Sequence, residues 1–351
     1  MKRPVLLIAS LILVAACGAA PSTTIAPSAT PVASIAVLSA STPAPTAAAT
    51  PSPTPRQAVL PGEPWLAFQG DDGGGTYGVR LVRPDGTGTF FPTDTVPGTE
   101  QLHPDWSPDG LRLVFSTMGA TARDLWVTDA DGSNPDHIVV CDTCTQADEP
   151  AWSPDGESIA FHRQSPVGAK SVSTLEIFDM ATRQSRVVLT AASDHEFYAP
   201  RWSPDGTRIV SENIHDGGGQ LVIVDLTAKT TKAVHITADG YWPANPDWSP
   251  DGTRIVFFAP LDPAHFDAES DLWTINPDGT GLKQITHFAA EHGIAIHPDY
   301  TPDGTRIAFV TGKAGADTSV MVTVAADGSD LQPATSNGYR PGLHPRFRPT
   351  P

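Results

Sequence analysis

Trp106-Ser107-Pro108-Asp109-Gly110-Leu111-Arg112-Leu113-Val114-Phe115 decides the fold, because the chain repeats it. Trp-Ser-Pro-Asp-Gly returns at Trp152–Gly156, Trp202–Gly206 and Trp248–Gly252, and a fifth copy reads Tyr300-Thr301-Pro302-Asp303-Gly304. The starts are 46, 50, 46 and 52 residues apart, the period of a four-stranded blade. Each copy reads as strand, turn, strand. Pro fixes one backbone angle of the turn, and Gly takes the conformation that other residues avoid. The second strand follows as an apolar run: Leu113-Val114-Phe115, Ile159-Ala160-Phe161, Ile209-Val210, Ile255-Val256-Phe257 and Ile307-Ala308-Phe309. A third strand alternates, as in Asp124-Leu125-Trp126-Val127-Thr128 and Asp271-Leu272-Trp273-Thr274-Ile275. It is followed by Asp-Gly turns at Asp131-Gly132, Asp278-Gly279 and Asp327-Gly328. No segment carries a helical period.

The two ends complete the count. Pro64-Trp65-Leu66-Ala67-Phe68 reads as a second strand with no repeat motif before it. Gly342-Leu343-His344-Pro345-Arg346-Phe347 reads as a first strand with no partner after it, and Phe347 falls 47 residues past Tyr300, where the next copy is due. The sequence therefore predicts an all-β, six-bladed propeller over 61–351, closed by the C-terminal strand, which leaves no exposed sheet edge around the ring.

Two segments precede it. Lys2 and Arg3, the apolar run Val5 to Ala15 and the ending Val14-Ala15-Ala16-Cys17 form an export leader over 1–17, too short to span a bilayer. It resembles a bacterial lipoprotein signal, which implies lipidation at Cys17. Residues 18–60 are rich in Pro, Ala, Ser and Thr, with Arg56 as their only charge. This is a disordered tether that at about 3 Å per residue reaches on the order of 130 Å. The chain is thus expected outside the cytoplasm, a monomer held to the membrane by lipid alone and facing the periplasm or the cell exterior. A net charge of −17 argues against nucleic acid and against docking on anionic lipid. Cys141 and Cys144, in Cys-Asp-Thr-Cys, read as a local disulfide or a free dithiol.

The repeat resembles the C-terminal propeller of the TolB family, and also the propellers of prolyl oligopeptidase-type peptidases and oligogalacturonate lyases. The TolB resemblance implies a non-catalytic binding module, because that propeller binds a peptidoglycan-associated lipoprotein. The expected partner is an envelope protein or peptide, with a glycan as a further class.

Residues present in every copy serve the blade, so Asp109, Asp155, Asp205, Asp251 and Asp303 read as turn residues and the tryptophans as packing between blades. Function is expected where the copies differ. Three positions before each Trp equivalent stand His103, Glu149, Ala199, Asn245, His297 and His344; one position before stand Asp105, Ala151, Arg201, Asp247, Asp299 and Arg346. A strand period of two puts both sets on one face of the innermost strand. Ring closure makes the blades of His297, His344 and His103 consecutive, with Glu149 next. His103, Glu149, His297, His344, Asp105 and Asp299 are therefore candidate ligands at the channel, for a partner or for a divalent transition metal such as zinc, manganese, iron or nickel. The lyase resemblance implies the same, and the alternative reading is a metal-dependent lyase or hydrolase acting on carbohydrate. His195-Glu196-Phe197-Tyr198 and Glu291-His292 are expected in loops near that end. No nucleophile elbow, triad spacing or phosphate loop is present, so no catalytic residue is assigned.

Overall fold

The computed structural model describes residues 59–349, apart from 61, 72–75, 95, 169, 216–217, 235–241, 261–267, 315–318 and 335–342. The leader, Cys17 and the tether up to residue 58 lie outside the described residues, as do parts of the Gly-rich loops at 71–75 and 216–219.

The described chain is almost entirely strand. β1 (Leu66–Asp71) and β2 (Tyr77–Val82) open it. Then come β3 (Glu100–Trp106), β4 (Arg112–Met118), β5 (Arg123–Asp129) and β6 (Asp136–Val139), followed by β7 (Gln146–Trp152), β8 (Ser158–Val167), β9 (Lys170–Asp179) and β10 (Gln184–Thr190). The next set is β11 (His195–Trp202), β12 (Arg208–His215), β13 (Gly218–Asp225) and β14 (Thr230–Val234). After it come β15 (Ala244–Trp248), β16 (Ile255–Pro260), β17 (Ser270–Ile275) and β18 (Lys283–Gln284). The last set is β19 (Gly293–Tyr300), β20 (Arg306–Lys313), β21 (Val320–Ala325) and β22 (Gln332–Pro333), and β23 (Leu343–Phe347) ends the chain. Its one helical element is a 3-10 turn at Ala289–Glu291.

Each set pairs antiparallel in chain order. The exception is the first group, where β23 returns to pair with β1, Leu66 opposite Phe347, so that the first and last described strands share one sheet. A single parallel bridge, Arg123 to Gln146, joins the second and third groups. The inner strands β23, β3, β7, β11, β15 and β19 touch in that order, and β19 touches β23. The all-β propeller expected from the repeat is the fold observed.

The core lies between groups rather than within them. Trp65, Ala67 and Val79 of the first group share one cluster with Trp106, Leu113 and Phe115 of the second. Val210, Leu221 and Ile223 of the fourth share another with Trp248, Ile255 and Phe257 of the fifth. A lone four-stranded group would leave these faces wet, so the groups stand only together.

The groups are also pinned to one another by hydrogen bonds, in one of two ways. Where Asp precedes the motif, its carboxylate accepts the backbone N–H of the next group's aromatic: Asp105 from Trp152 at 2.8 Å, Asp247 from Tyr300 at 2.9 Å, Asp299 from Phe347 at 3.2 Å. Where Arg or Ala stands there, the next group's indole N–H donates to that residue's carbonyl: Trp106 to Arg346 at 3.1 Å, Trp202 to Ala151 at 3.2 Å, Trp248 to Arg201 at 3.3 Å. The six junctions divide evenly between the two devices.

The turn aspartates are structural, as expected from their repetition. Asp109, Asp155, Asp205, Asp251 and Asp303 each accept the backbone N–H two residues on at 3.0 Å. Each also accepts the hydroxyl two residues before, at 2.5 to 2.6 Å.

Arg348 locks the closure. Its buried guanidinium donates to the carbonyls of Gly110 at 2.8 Å, Leu60 at 2.6 Å and Glu63 at 3.1 Å. Gly110 sits at φ +66°, and a Cβ there would meet Arg348 Nε at 2.6 Å. Arg348→Ala should therefore lower unfolding free energy by about 2 kcal/mol, since three carbonyls lose a charged donor. Lys232→Ala, which removes an exposed bond to the Asp278 carbonyl, should change it by less than about 0.5 kcal/mol. Urea unfolding of both variants checks this, and equal midpoints would exclude Arg348 as the clasp.

Candidate functional site

All six residues three before the motif aromatic are left-handed. φ is 51° at His103, 52° at Glu149, 45° at Ala199, 44° at Asn245, 54° at His297 and 58° at His344. Each precedes a proline, and the strand register shifts at each one. The inner strand is thus bulged in every group. Here the structure corrects the sequence reading: a period of two does not carry across the bulge, so the two candidate sets do not share a face by simple alternation. They still meet electrostatically at the centre, where the Arg201 charge acts on Asp105, Asp247, His297 and His344. A β-branched residue would be strained at such a position, and none of the six is one.

The three histidines do come together. The His344 ring lies 4.4 Å from His103 and 3.9 Å from His297, centroid to centroid. His344 and His297 are 5% exposed. Burial, reinforced by the neighbouring histidines, holds His344 well below the usual imidazole range and His297 at about 3. Burial also disfavours charge on His103, but Asp148 outweighs it and raises that ring.

Asp148 is the residue the sequence reading missed. Its carboxylate lies 2.7 Å from His103 Nδ1, accepts Ser116 Oγ at 2.6 Å and the Glu149 N–H at 2.8 Å, and pairs with Arg123. These contacts overcome burial and hold it well below the carboxylate range. A signal existed: the same column holds Leu102, Tyr198, Ala244, Ile296 and Leu343 elsewhere, so Asp148 is its one charged residue.

Glu149 lies 3.1 Å from His162 Nδ1 and accepts the Ala199 N–H at 2.6 Å. Despite burial, His162 brings it down to about 2. Glu212, on β12, accepts the Asn245 N–H, and burial with the nearby Glu149 charge pushes it up to about 8. Asp105 and Asp299 are two of the junction pins, and both also face Arg346, at 3.8 and 3.1 Å. Burial raises Asp105 and Asp247 to about 6, and Asp299 well above its usual value. Among the described residues no group of three or more His, Cys, Asp or Glu is arranged to hold a metal ion.

The remaining candidates sit apart. Cys141 and Cys144 are joined in the loop between β6 and β7, with Arg163 Nη1 at 3.1 Å from Cys144 Sγ. His195-Glu196-Phe197-Tyr198, expected in a loop, opens β11 instead, where Tyr198 donates to Glu196 at 2.6 Å. His292 ends the 3-10 turn and meets Glu269 at 2.9 Å.

The buried acids set a pH dependence. Glu212, Asp105, Asp247 and Asp299 have folded values above their unfolded ones, so their contribution is full in acid and is lost as pH rises through those values. His297 and His344 act oppositely, losing theirs as pH falls below about 6.5. Thermal stability should therefore rise as pH falls from about 8 to about 6.5. Glu212→Gln keeps an acceptor for the Asn245 N–H and should flatten the alkaline slope in melts taken across that range. An unchanged slope would remove Glu212 as its source.

Residues 125–262 match the TolB beta propeller domain family. A 50-residue stretch is 36% identical to the Protein TolB homolog of Chlorobium luteolum, covering 14% of this chain and 11% of that protein. The structure of TolB from Acinetobacter baumannii is similar at TM-score 0.61 and 16% identity, over 81% of this chain and 66% of that one. Oligogalacturonate lyase from Vibrio parahaemolyticus shares the fold at TM-score 0.52 and 13% identity, over 76% of this chain and 73% of that one. The chain thus spans about two thirds of the Acinetobacter baumannii structure and a small part of the curated relative. No helix among the described residues is long and apolar enough to cross a membrane. The chain is an all-β propeller protein whose residues 125–262 match the TolB beta propeller domain family.

Proposed function

We propose that this chain is an exported envelope lipoprotein, anchored through Cys17, whose propeller works on its tether as a non-catalytic module binding an envelope protein or peptide. One observation carries the binding reading: the polar side chains around the axis are engaged with the ring. Asp105 and Asp299 pin neighbouring groups, Glu149 holds the Ala199 N–H, and Asp148 holds His103. Side chains committed to the scaffold are poor candidates for groups that must move protons or release product. A rigid ring with exposed loops suits recognition. The export leader and the low charge of the tether support the envelope address.

The propeller-bearing protein, immobilised and challenged with envelope extract, should retain a defined partner that an unrelated propeller does not. Equal retention by both would remove the reading. Cys17→Ser should move the protein from the detergent phase to the aqueous phase, and unchanged partitioning would exclude the lipid anchor. The metal-dependent alternative has its own readout. The protein purified at neutral pH should carry no stoichiometric zinc, manganese, iron or nickel by elemental mass spectrometry. Stoichiometric metal lost in a His103/His297/His344→Ala variant would favour the enzyme.

A further inference from the structure

The Cys141–Cys144 bond closes a loop of four residues between β6 and β7. Backbone hydrogen bonds already fasten that loop on both sides. The Cys141 N–H donates to Asp124 Oδ1 at 2.9 Å. The Thr145 N–H donates to the Gln164 carbonyl at 2.8 Å, and the Thr145 carbonyl accepts the Arg123 N–H at 3.3 Å. A cross-link acts largely by restricting the unfolded chain, and it does so least for a short loop. As a staple, this disulfide has little to add.

Its surroundings are asymmetric. Arg163, on β8, brings Nη1 to 3.1 Å from Cys144 Sγ. Its Nε donates to Glu176 on β9 at 3.1 Å, and Thr174 Oγ donates to the same carboxylate oxygen at 2.9 Å, which fixes the far edge of the guanidinium. At the Cys141 end stands a carboxylate, Asp124 on β5, whose Oδ2 lies 3.0 Å from His137 Nε2 on β6. Asp142, between the two cysteines, is exposed to water. A neutral disulfide gains little from a cation at one sulfur, whereas a thiolate gains much. The guanidinium is placed to hold negative charge on Cys144, and Asp124 to oppose it on Cys141. Both cysteines are buried, but exposed Val140, Asp142, Thr143 and Thr145 flank them, so the bond lies just beneath the surface.

We infer that Cys141–Cys144 is a thiol–disulfide exchange site for a dithiol reductant, with Cys141 taking the mixed disulfide and Cys144 leaving as the thiolate. One thiolate of the reductant attacks Cys141 Sγ. The new S–S bond forms there, the Cys141–Cys144 bond breaks, and its electron pair leaves on Cys144 beside Arg163. The reductant's second thiolate then attacks its own sulfur in the mixed disulfide and releases Cys141. The reductant ends as a disulfide and the pair has gained two electrons. Of the two thiol protons, one goes to Cys141 and one to water. The site is separate from the axis, and the proposal is independent of the protein-binding reading.

The test starts from the air-oxidised full chain at neutral pH. It is treated with 2-mercaptoethanol, quenched with N-ethylmaleimide and read by peptide mass mapping. At low turnover Cys144 should carry the maleimide and Cys141 the mixed disulfide. Dithiothreitol should reduce Arg163→Met about three- to tenfold more slowly than wild type, and Arg163→Lys should recover most of the rate. In urea the three proteins should react alike. The labelling order in wild type decides the polarity even where Arg163→Met fails to fold. A Cys141→Ser/Cys144→Ser protein should melt within about 3 °C of wild type. Mixed disulfide on Cys144, equal rates for folded wild type and Arg163→Met, a rate difference that persists in urea, reduction only after unfolding, or a larger fall in melting temperature would overturn the proposal.

Discussion

The hydrogen bond across each junction is the constraint on which the rest of this ring depends. Apolar burial holds neighbouring groups face to face, but it is non-directional and would tolerate sliding. A backbone N–H or an indole N–H has to find a particular oxygen. Each junction supplies one, either a carboxylate from the preceding inner strand or that strand's own carbonyl. The choice follows one residue. Asp before the aromatic reaches forward; Arg or Ala leaves its carbonyl to be reached. This explains why the last two junctions, where Tyr300 and Phe347 carry no indole, both have Asp before them, Asp247 and Asp299.

The bulges act on the same inner strand. Regular alternation along a five- to eight-residue strand would put the pinning residue and the residue two before it on one face, whereas the bulge aims them differently while both stay near the crowded centre. A left-handed residue followed by proline re-aims the strand at the same point in every group. The cost of each is of order 1 kcal/mol, recovered through the bonds made around it: Glu149 to the Ala199 N–H and Glu212 to the Asn245 N–H fasten two of the strained residues directly.

Much of this was legible in the sequence, because a repeat reports on geometry that recurs. The turns, the strands, the return of the last strand to the first, and the meeting of His297, His344 and His103 all followed from spacing. What was not legible depended on contacts between copies. Asp105 and Asp299 differ among copies and so looked functional, yet they alternate with the indole bond as parts of one structural device. Asp148 and Glu212 lie off the compared columns, one before the bulge and one on the second strand, and they become partners of the axis only once neighbouring groups pack. The bulge itself escaped notice because a period of two assumes a regular strand.

Tyr300 shows the opposite error. Counted as a fifth copy of the motif, it was treated as equivalent to tryptophan, and for closing the ring it is, since Asp247 pins its N–H as Asp105 pins that of Trp152. The side chain is not equivalent. With no indole there, the junction keeps its backbone pin, and Arg254 donates to the Gly281 carbonyl. Splitting these two roles lets the aromatic change without loosening the ring. Of the two devices, only the carboxylate pin permits this, because it acts on the backbone and leaves the aromatic position free to change.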